Sequence, residues 1–246
     1  MKRIILVFSL LLFSAALYGQ NLRVAVAANL QDVIKVLAKD FKEKTGIEVE
    51  PIIGSSGNLA TQIKNGAPFD VFLSADITFP ETLFNEGFSN KAPVVYAYGS
   101  LVIVSTQDIG FENWERLLLS PRVNKIAIAN PQIAPYGKAA EEALTKKGIW
   151  TDVQPKIVQG ESIAQVSTYI TTGVAEVGFT TQSLIKDSEG KTKLYWKLID
   201  PKNYRAIKQG MVIIKASKNI AEAEKFYQYI LSAGAKKILK EYGYGV

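Results

Sequence analysis

The chain of 246 residues has no cysteine and no histidine. Without cysteine no disulfide can form, whatever the compartment. Without thiolate or imidazole, the usual ligand sets for zinc, copper and haem iron are missing. The base that normally activates a serine nucleophile is missing too, which disfavours a hydrolase built on Ser56 or Ser162. Long apolar runs are also scarce. Ile4 to Phe13 is the most apolar stretch, and it is too short for a comfortable membrane span. It follows Met1-Lys2-Arg3 and precedes Ser14-Ala15-Ala16 and Gly19-Gln20, the pattern of a secretory leader cleaved near Gly19/Gln20. An uncleaved anchor helix is the alternative. No cysteine follows the apolar run, so a lipoprotein anchor is excluded.

Charge of one sign is not concentrated anywhere. The formal net charge is +6; Lys2 and Arg3 account for two of these, leaving +4 after the leader. Lys and Glu are scattered along helix faces, with no basic run of the kind that binds nucleic acid. No nucleic-acid partner is expected. Lys236, Lys237 and Lys240 read as a solvated face, and Phe226, Tyr227 and Ile230 as core.

What is present alternates between two periodicities. Strand patterns run over Leu22–Ala28, Ile47–Ile53, Val71–Ser74, Lys125–Ala129, Lys156–Gln159, Glu176–Thr180 and Met211–Lys215, and a long apolar run over Val94–Ser105 is broken by Gly99. Helical patterns run over Asp32–Lys44 (Val33, Val36, Leu37 and Phe41 on one face), Phe79–Glu86, Trp114–Leu119, Ala139–Lys147, Ile163–Thr171, Ile220–Leu231 and Ala235–Tyr242. Strands alternating with helices predict an α/β fold with mixed, mostly parallel sheets flanked by helices.

The segment Gly54-Ser-Ser-Gly-Asn-Leu-Ala-Thr-Gln-Ile-Lys-Asn-Gly-Ala-Pro-Phe-Asp-Val-Phe-Leu-Ser-Ala-Asp76 is the most informative. Its Ser/Gly-rich loop feeds a helix start, which offers hydroxyl donors, free backbone N–H groups and the positive end of a helix dipole. Such a place can hold an anion. Three further strand-to-helix junctions share the chemistry: Ala27-Ala28-Asn29, Asn130 to Leu144 with a helix start at about Gly137, and Gln159-Gly160-Glu161-Ser162. Any one of them is explained as an ordinary turn and cap. Four together match the rule that ligands of open α/β sheets sit outside the carboxyl ends of strands. Asp32 lies near the first helix start as a dipole-compensating residue, with a protonated oxyanion's acceptor as its alternative. Asp70 and Asp76 flank a strand as loop-fixing residues.

The segment Gly54–Asp76 resembles the Ser-Ser...Gln-Ile...Gly-Ala-Pro-x-Asp-Val-Phe-x-Ser-Ala-Asp stretch of periplasmic molybdate-binding proteins, the substrate-binding subunits of molybdate ABC transporters. Asn130-Pro...Ala134-Pro-Tyr-Gly-x-Ala-Ala...Leu144 resembles a motif of one branch of that family, and Ala27-Ala28-Asn29 resembles the same branch's anion loop. Ala175–Phe179 and Tyr242–Tyr244 match more loosely. The resemblance covers nearly the whole mature chain. It implies two α/β lobes of a type II-like periplasmic binding protein, with the ligand in the cleft between them. The lobes would be residues 21–99 plus 211–246 and residues 100–210, after a leader at 1–20.

The resemblance further implies an exported, periplasmic, monomeric protein that is not an enzyme and carries no cofactor. It would capture molybdate, and tungstate with it, for the permease of an ABC importer; a sulfate or other tetrahedral oxyanion carrier is the alternative. The oxyanion contacts fall on Ala28, Asn29, Ser56, Tyr136 and Ile163, so molybdenum would be held only as the oxyanion. Ala75 and Thr181 carry over more weakly. A second branch has Ser where Asn29 stands and a ligating Tyr where this chain has Thr181.

Overall fold

A computed structural model describes residues 21–188 and 190–246, and the leader expected at 1–20 falls outside them. Among the described residues ten strands form two five-stranded sheets. The first holds β1 (Leu22–Ala27), β2 (Val49–Gly54), β3 (Val71–Leu73), β4 (Val94–Gly99) and β10 (Ile207–Ile213), in the order β2-β1-β3-β10-β4. The second holds β5 (Leu101–Ser105), β6 (Ile126–Ala129), β7 (Ile157–Gly160), β8 (Val177–Thr181) and β9 (Tyr195–Leu198), in the order β7-β6-β8-β5-β9.

The two sheets share one plan. In the first, β1 pairs parallel with β2 and β3, while β10 runs antiparallel to β3 and β4. In the second, β6 pairs parallel with β7 and β8, while β5 runs antiparallel to β8 and β9. Parallel pairings therefore make up half of each sheet rather than most of it. Parallel neighbours need helical crossovers. The strands that carry the chain between sheets, β5 and β10, enter without one. Only Ser100 separates β4 from β5, and β10 starts at Ile207, so Gln209 and Gly210 lie inside a strand of the first sheet.

Among the described residues the helices are α1 (Val33–Thr45), α2 (Ser56–Lys64), α3 (Thr78–Asn85), α4 (Trp114–Leu119), α5 (Pro135–Lys146), α6 (Trp150–Val153), α7 (Ile163–Thr171), α8 (Gln182–Ser188), α9 (Ile220–Leu231) and α10 (Ala233–Glu241). None is long and apolar enough to cross a membrane. Helix α1 buries Val33, Ile34, Leu37 and Phe41 against the first sheet, whereas Val36 is 39% exposed. At 100° per residue Val36 sits more than a quarter-turn off the stripe through Leu37 and Phe41, and Ile34 takes the place predicted for it. Phe41 meets Phe226 of α9 edge-on, with ring centroids 5.1 Å apart. Burying each such ring contributes about 1.5–3 kcal/mol.

The opposite face of the first sheet packs Phe72 and Val212 with Leu59 and Ile63 of α2 and Leu83 of α3. A separate core joins the second sheet to α4, α5 and α7. Both sheets are thus covered, and the loops at the carboxyl ends of β1, β2, β6 and β7 face a common region.

Candidate functional site

Three helices begin where the two sheets meet. Helix α2 starts at Ser56, α5 at Pro135 and α7 at Ile163. A short 3-10 turn over Ala28–Leu30 follows β1 at the same place. The cleft between them is lined by Ala27, Ala28, Asn29, Ser55, Ser56 and Ala75 from the first-sheet side. Ala134, Pro135, Tyr136, Ser162 and Ile163 line it from the second. Its cavity volume is only about 10 Å³, room for about one water. That is far below the roughly 300–1,000 Å³ of sites for drug-sized ligands, so the two sides are closed tightly on one another.

The backbone explains why these residues gather. Pro135 occupies the first helical position of α5, where its missing N–H removes nothing the helix needs. Gly137 lies against the end of β6: a Cβ there would come within 2.0 Å of the Ala129 carbonyl oxygen. The side-chain-free position lets α5 start directly over the strand end. Helix α7 is capped by Ser162, whose Oγ accepts the Gln165 N–H at 3.5 Å. Neither α2 nor α5 has a side chain capping its first turn. Their leading N–H groups have no intrahelical acceptor; that of Gly57 is taken by the Ile133 carbonyl oxygen at 2.9 Å, and Pro135 has none to satisfy.

Every lining side chain is neutral. Charge complementarity in the cleft therefore rests on the N-terminal ends of α2, α5 and α7, each equivalent to about half a positive charge. Among the described residues no group of three or more acidic side chains is placed to hold a metal ion.

Six of the seven residues singled out from sequence line this cleft: Ala28, Asn29, Ser56, Ala75, Tyr136 and Ile163. Their hydrogen bonds differ. Ser56 is fully buried, and its Oγ accepts the Ala75 N–H at 3.0 Å, so the hydroxyl proton remains to be donated. The same bond occupies Ala75's N–H and makes Ala75 a support for Ser56. Asn29 spends Nδ2 on Gln209 Oε1 at 2.9 Å and on the Tyr244 hydroxyl at 3.1 Å, and its Oδ1 has no protein partner. Asn29 is therefore left with its single backbone N–H as a donor for the cleft, its amide nitrogen being taken in this arrangement.

Tyr136 turns its ring inward. Its hydroxyl accepts from Thr181 Oγ1 at 3.1 Å and from Gln209 Nε2 at 3.3 Å, and burial pushes its pKa well up, keeping it neutral. Thr181, the seventh residue, stands behind Tyr136 and does not line the cleft. Asp32 is paired with Lys35 at 2.8 Å, and it too is outside the lining.

Sequence reasoning counted Ser55 among the hydroxyls of the Ser-Ser-Gly loop but not among the oxyanion contacts, and its buried Oγ has no protein partner. It also passed over Gln209, Tyr96 and Tyr244, the polar residues packed beneath the cleft. Tyr96 donates to Ser74 O at 2.9 Å and approaches Gln209 Oε1 at 3.0 Å, and Tyr244 donates to Asn29 O at 2.7 Å. Nothing in a strand pattern distinguishes a buried glutamine with partners from an ordinary interruption.

The two sides of the cleft are in contact. Gly57 N–H donates to Ile133 O at 2.9 Å, and Asn58 Nδ2 donates to Glu161 Oε1 at 2.6 Å.

The family model described as bacterial extracellular solute-binding protein matches residues 22–245. The molybdate-binding protein ModA of Azotobacter vinelandii is 35% identical over 248 residues, covering 100% of this chain and 98% of that protein. The molybdate-binding protein ModA of Rhodobacter capsulatus is 37% identical over 221 residues, covering 89% and 86%. The solved structure of the Azotobacter vinelandii periplasmic molybdate-binding protein superposes with a TM-score of 0.87 at 35% identity, covering 92% of this chain and 99% of that one.

Proposed function

Because the chain belongs to the bacterial extracellular solute-binding protein family, we propose that it captures molybdate, and tungstate with it, in the periplasm and delivers it to the membrane permease of an ABC importer. The observation that carries this reading is the convergence of three helix N-termini, from two sheets, on one small cleft lined only by neutral groups. A buried dianion must be met by donors or opposite charge. Here the donors are the first-turn N–H groups of α2, α5 and α7 other than those of Gly57 and Gln165, which are already bonded, and the hydroxyls of Ser55 and Ser56. The oxyanion contacts are Ala28, Asn29, Ser56, Tyr136 and Ile163, with Tyr136 and Ile163 acting through backbone N–H. Each hydrogen bond to a charged group contributes about 1.5–3 kcal/mol. Several together hold a dianion without a fixed cation, and a site without a fixed cation can release its cargo.

The similarity to two molybdate-binding proteins over nearly their full lengths supports molybdate as the anion. Capture is the role, with no reacting group in the cleft and molybdenum held only through its oxygens. The two lobes are residues 21–99 with 207–246 and residues 100–206, following the strands of each sheet, and the mature protein acts as a monomer after removal of the leader.

Elemental analysis of the mature protein dialysed against molybdate tests the reading. One molybdenum per chain is expected, with a melting temperature that rises with ligand concentration by mass action. Metal-free protein with an unchanged melting temperature would reject it.

A further inference from the structure

Asn29 lines the cleft, and the end of its amide left without a protein partner is the wrong one for a fully ionised oxyanion. The residue is 1% exposed and has both directions of its Nδ2 taken by Gln209 and Tyr244. The atom of that amide without a protein partner is Oδ1, an acceptor. An acceptor suits an oxyanion that carries a proton and repels one that does not.

Gln209 holds the amide in this orientation. It is fully buried on β10, where the pairing with β4 shifts register between Gln209 and Gly210. Its Oε1 receives Asn29 Nδ2 at 2.9 Å and faces the Tyr96 hydroxyl at 3.0 Å. Its Nε2 donates to the Tyr136 hydroxyl at 3.3 Å, across to the second sheet's side. Tyr136 already accepts from Thr181, so its own proton is not used in these contacts.

A half-turn of both amides gives a second pattern on the same atom positions at the cost of one bond, because Tyr244, which donates to Asn29 O at 2.7 Å, would turn its proton to Asn29 Oδ1 at 3.1 Å. Gln209 Nε2 would donate to Asn29 Oδ1 and toward Tyr96. Tyr96 would keep its proton on Ser74 O, already 2.9 Å away. Tyr136 would donate its unused proton to Gln209 Oε1. Asn29 Nδ2 would then be left for the cleft. Turning one amide alone sets two acceptors or two donors face to face, which costs a buried unsatisfied pair. The amides therefore turn together.

We propose that Gln209 is a positioning and specificity-determining residue: coupled to Asn29, it decides whether the cleft presents an acceptor, for a protonated oxyanion such as hydrogen phosphate, or a donor, for a fully ionised one such as molybdate. The inference rests on the oxyanion-binding reading above and adds the residue that sets which protonation class is held.

Calorimetry with molybdate on the mature protein, Asn29→Ala, Gln209→Met and the double variant tests it. Gln209→Met is expected to weaken molybdate binding about tenfold. The double variant is expected to bind within about twofold of Asn29→Ala alone, because Gln209 acts through Asn29. Losses that multiply would overturn the coupling while leaving molybdate capture intact. No molybdate binding by the unmodified protein would reject the functional reading, and the coupling with it. Should Gln209→Met not fold, the side-chain amide resonances of the unmodified protein decide the matter. Molybdate is expected to shift those of Asn29 and Gln209 together, and a shift of Asn29 without Gln209 would overturn the proposal.

Discussion

Gly57 donates its backbone N–H to the carbonyl of Ile133 at 2.9 Å, joining the first turn of α2 to the loop that leads into α5. This contact holds the two sides of the cleft together, and it depends on the missing side chain. A Cβ on Gly57 would lie 2.9 Å from both Cα and Cβ of Ile133.

Gly57→Ala therefore separates closure from folding. Alanine favours a helix over glycine by about 1 kcal/mol, so the ligand-free melting temperature should hold or rise. Molybdate affinity should fall by about tenfold, because closure brings the donors of α5 and α7 to the anion. Thermal unfolding alongside calorimetry reads both effects. A variant with unchanged affinity would show that the Gly57–Ile133 contact plays no part in binding.

Ser56 carries the second prediction. Ser56→Ala removes a donor to a charged ligand and should weaken binding by roughly 1.5–3 kcal/mol, about ten- to hundredfold. It also leaves the Ala75 N–H without its acceptor, so stability should drop by about 1–3 kcal/mol. Ser56→Asp restores an acceptor for Ala75 but sets a carboxylate against a dianion. It should bind more weakly still than Ser56→Ala. Were Ser56 only a helix cap, aspartate would serve equally well, and near-normal affinity in folded Ser56→Asp would refute the site.

The third prediction concerns pH. Burial raises the pKa of Asp76 above its ordinary 3.8, against the lowering effect of its bonds from the Phe79 N–H and from Ser74. Between 3.8 and that raised value the folded protein binds more protons than the unfolded one, so the contribution of Asp76 falls as pH rises through this window. Above it the charged carboxylate is a constant cost. Urea unfolding should then show the unmodified protein losing stability relative to Asp76→Asn as pH climbs from below 4, with a plateau beyond the raised pKa. A difference that stays flat with pH would contradict it.

How much of this was legible in sequence depends on how local each signal is. The loop-to-helix junctions at Ala28, Ser56, Tyr136 and Ile163 were readable because Gly, Pro, Ser and Asn announce turns and caps within a few residues. The role of Asp70 was readable in kind: it accepts from the Arg23 N–H, Ser217 and Asn219 and so fixes its loop. Strand β9 was missed, since Tyr195–Leu198 is a short edge whose Trp196 and Leu198 are 39% and 47% exposed. Strand β10 was predicted four residues late, because Lys208 and Gln209 interrupt its apolar pattern. The partners of Asn29 lie 180 and 215 residues away, at Gln209 and Tyr244. No local rule connects them. The fate of its amide, and the standing of Thr181 behind Tyr136, are properties of the folded chain.

The central claim is a neutral donor cage that selects molybdate, and a competition titration tests it most directly. Mature protein loaded with sulfate is titrated with molybdate by calorimetry. The account predicts one molybdate per chain, bound at least a hundredfold more tightly than sulfate, a difference of about 2.7 kcal/mol. Equal affinity for the two anions would contradict it.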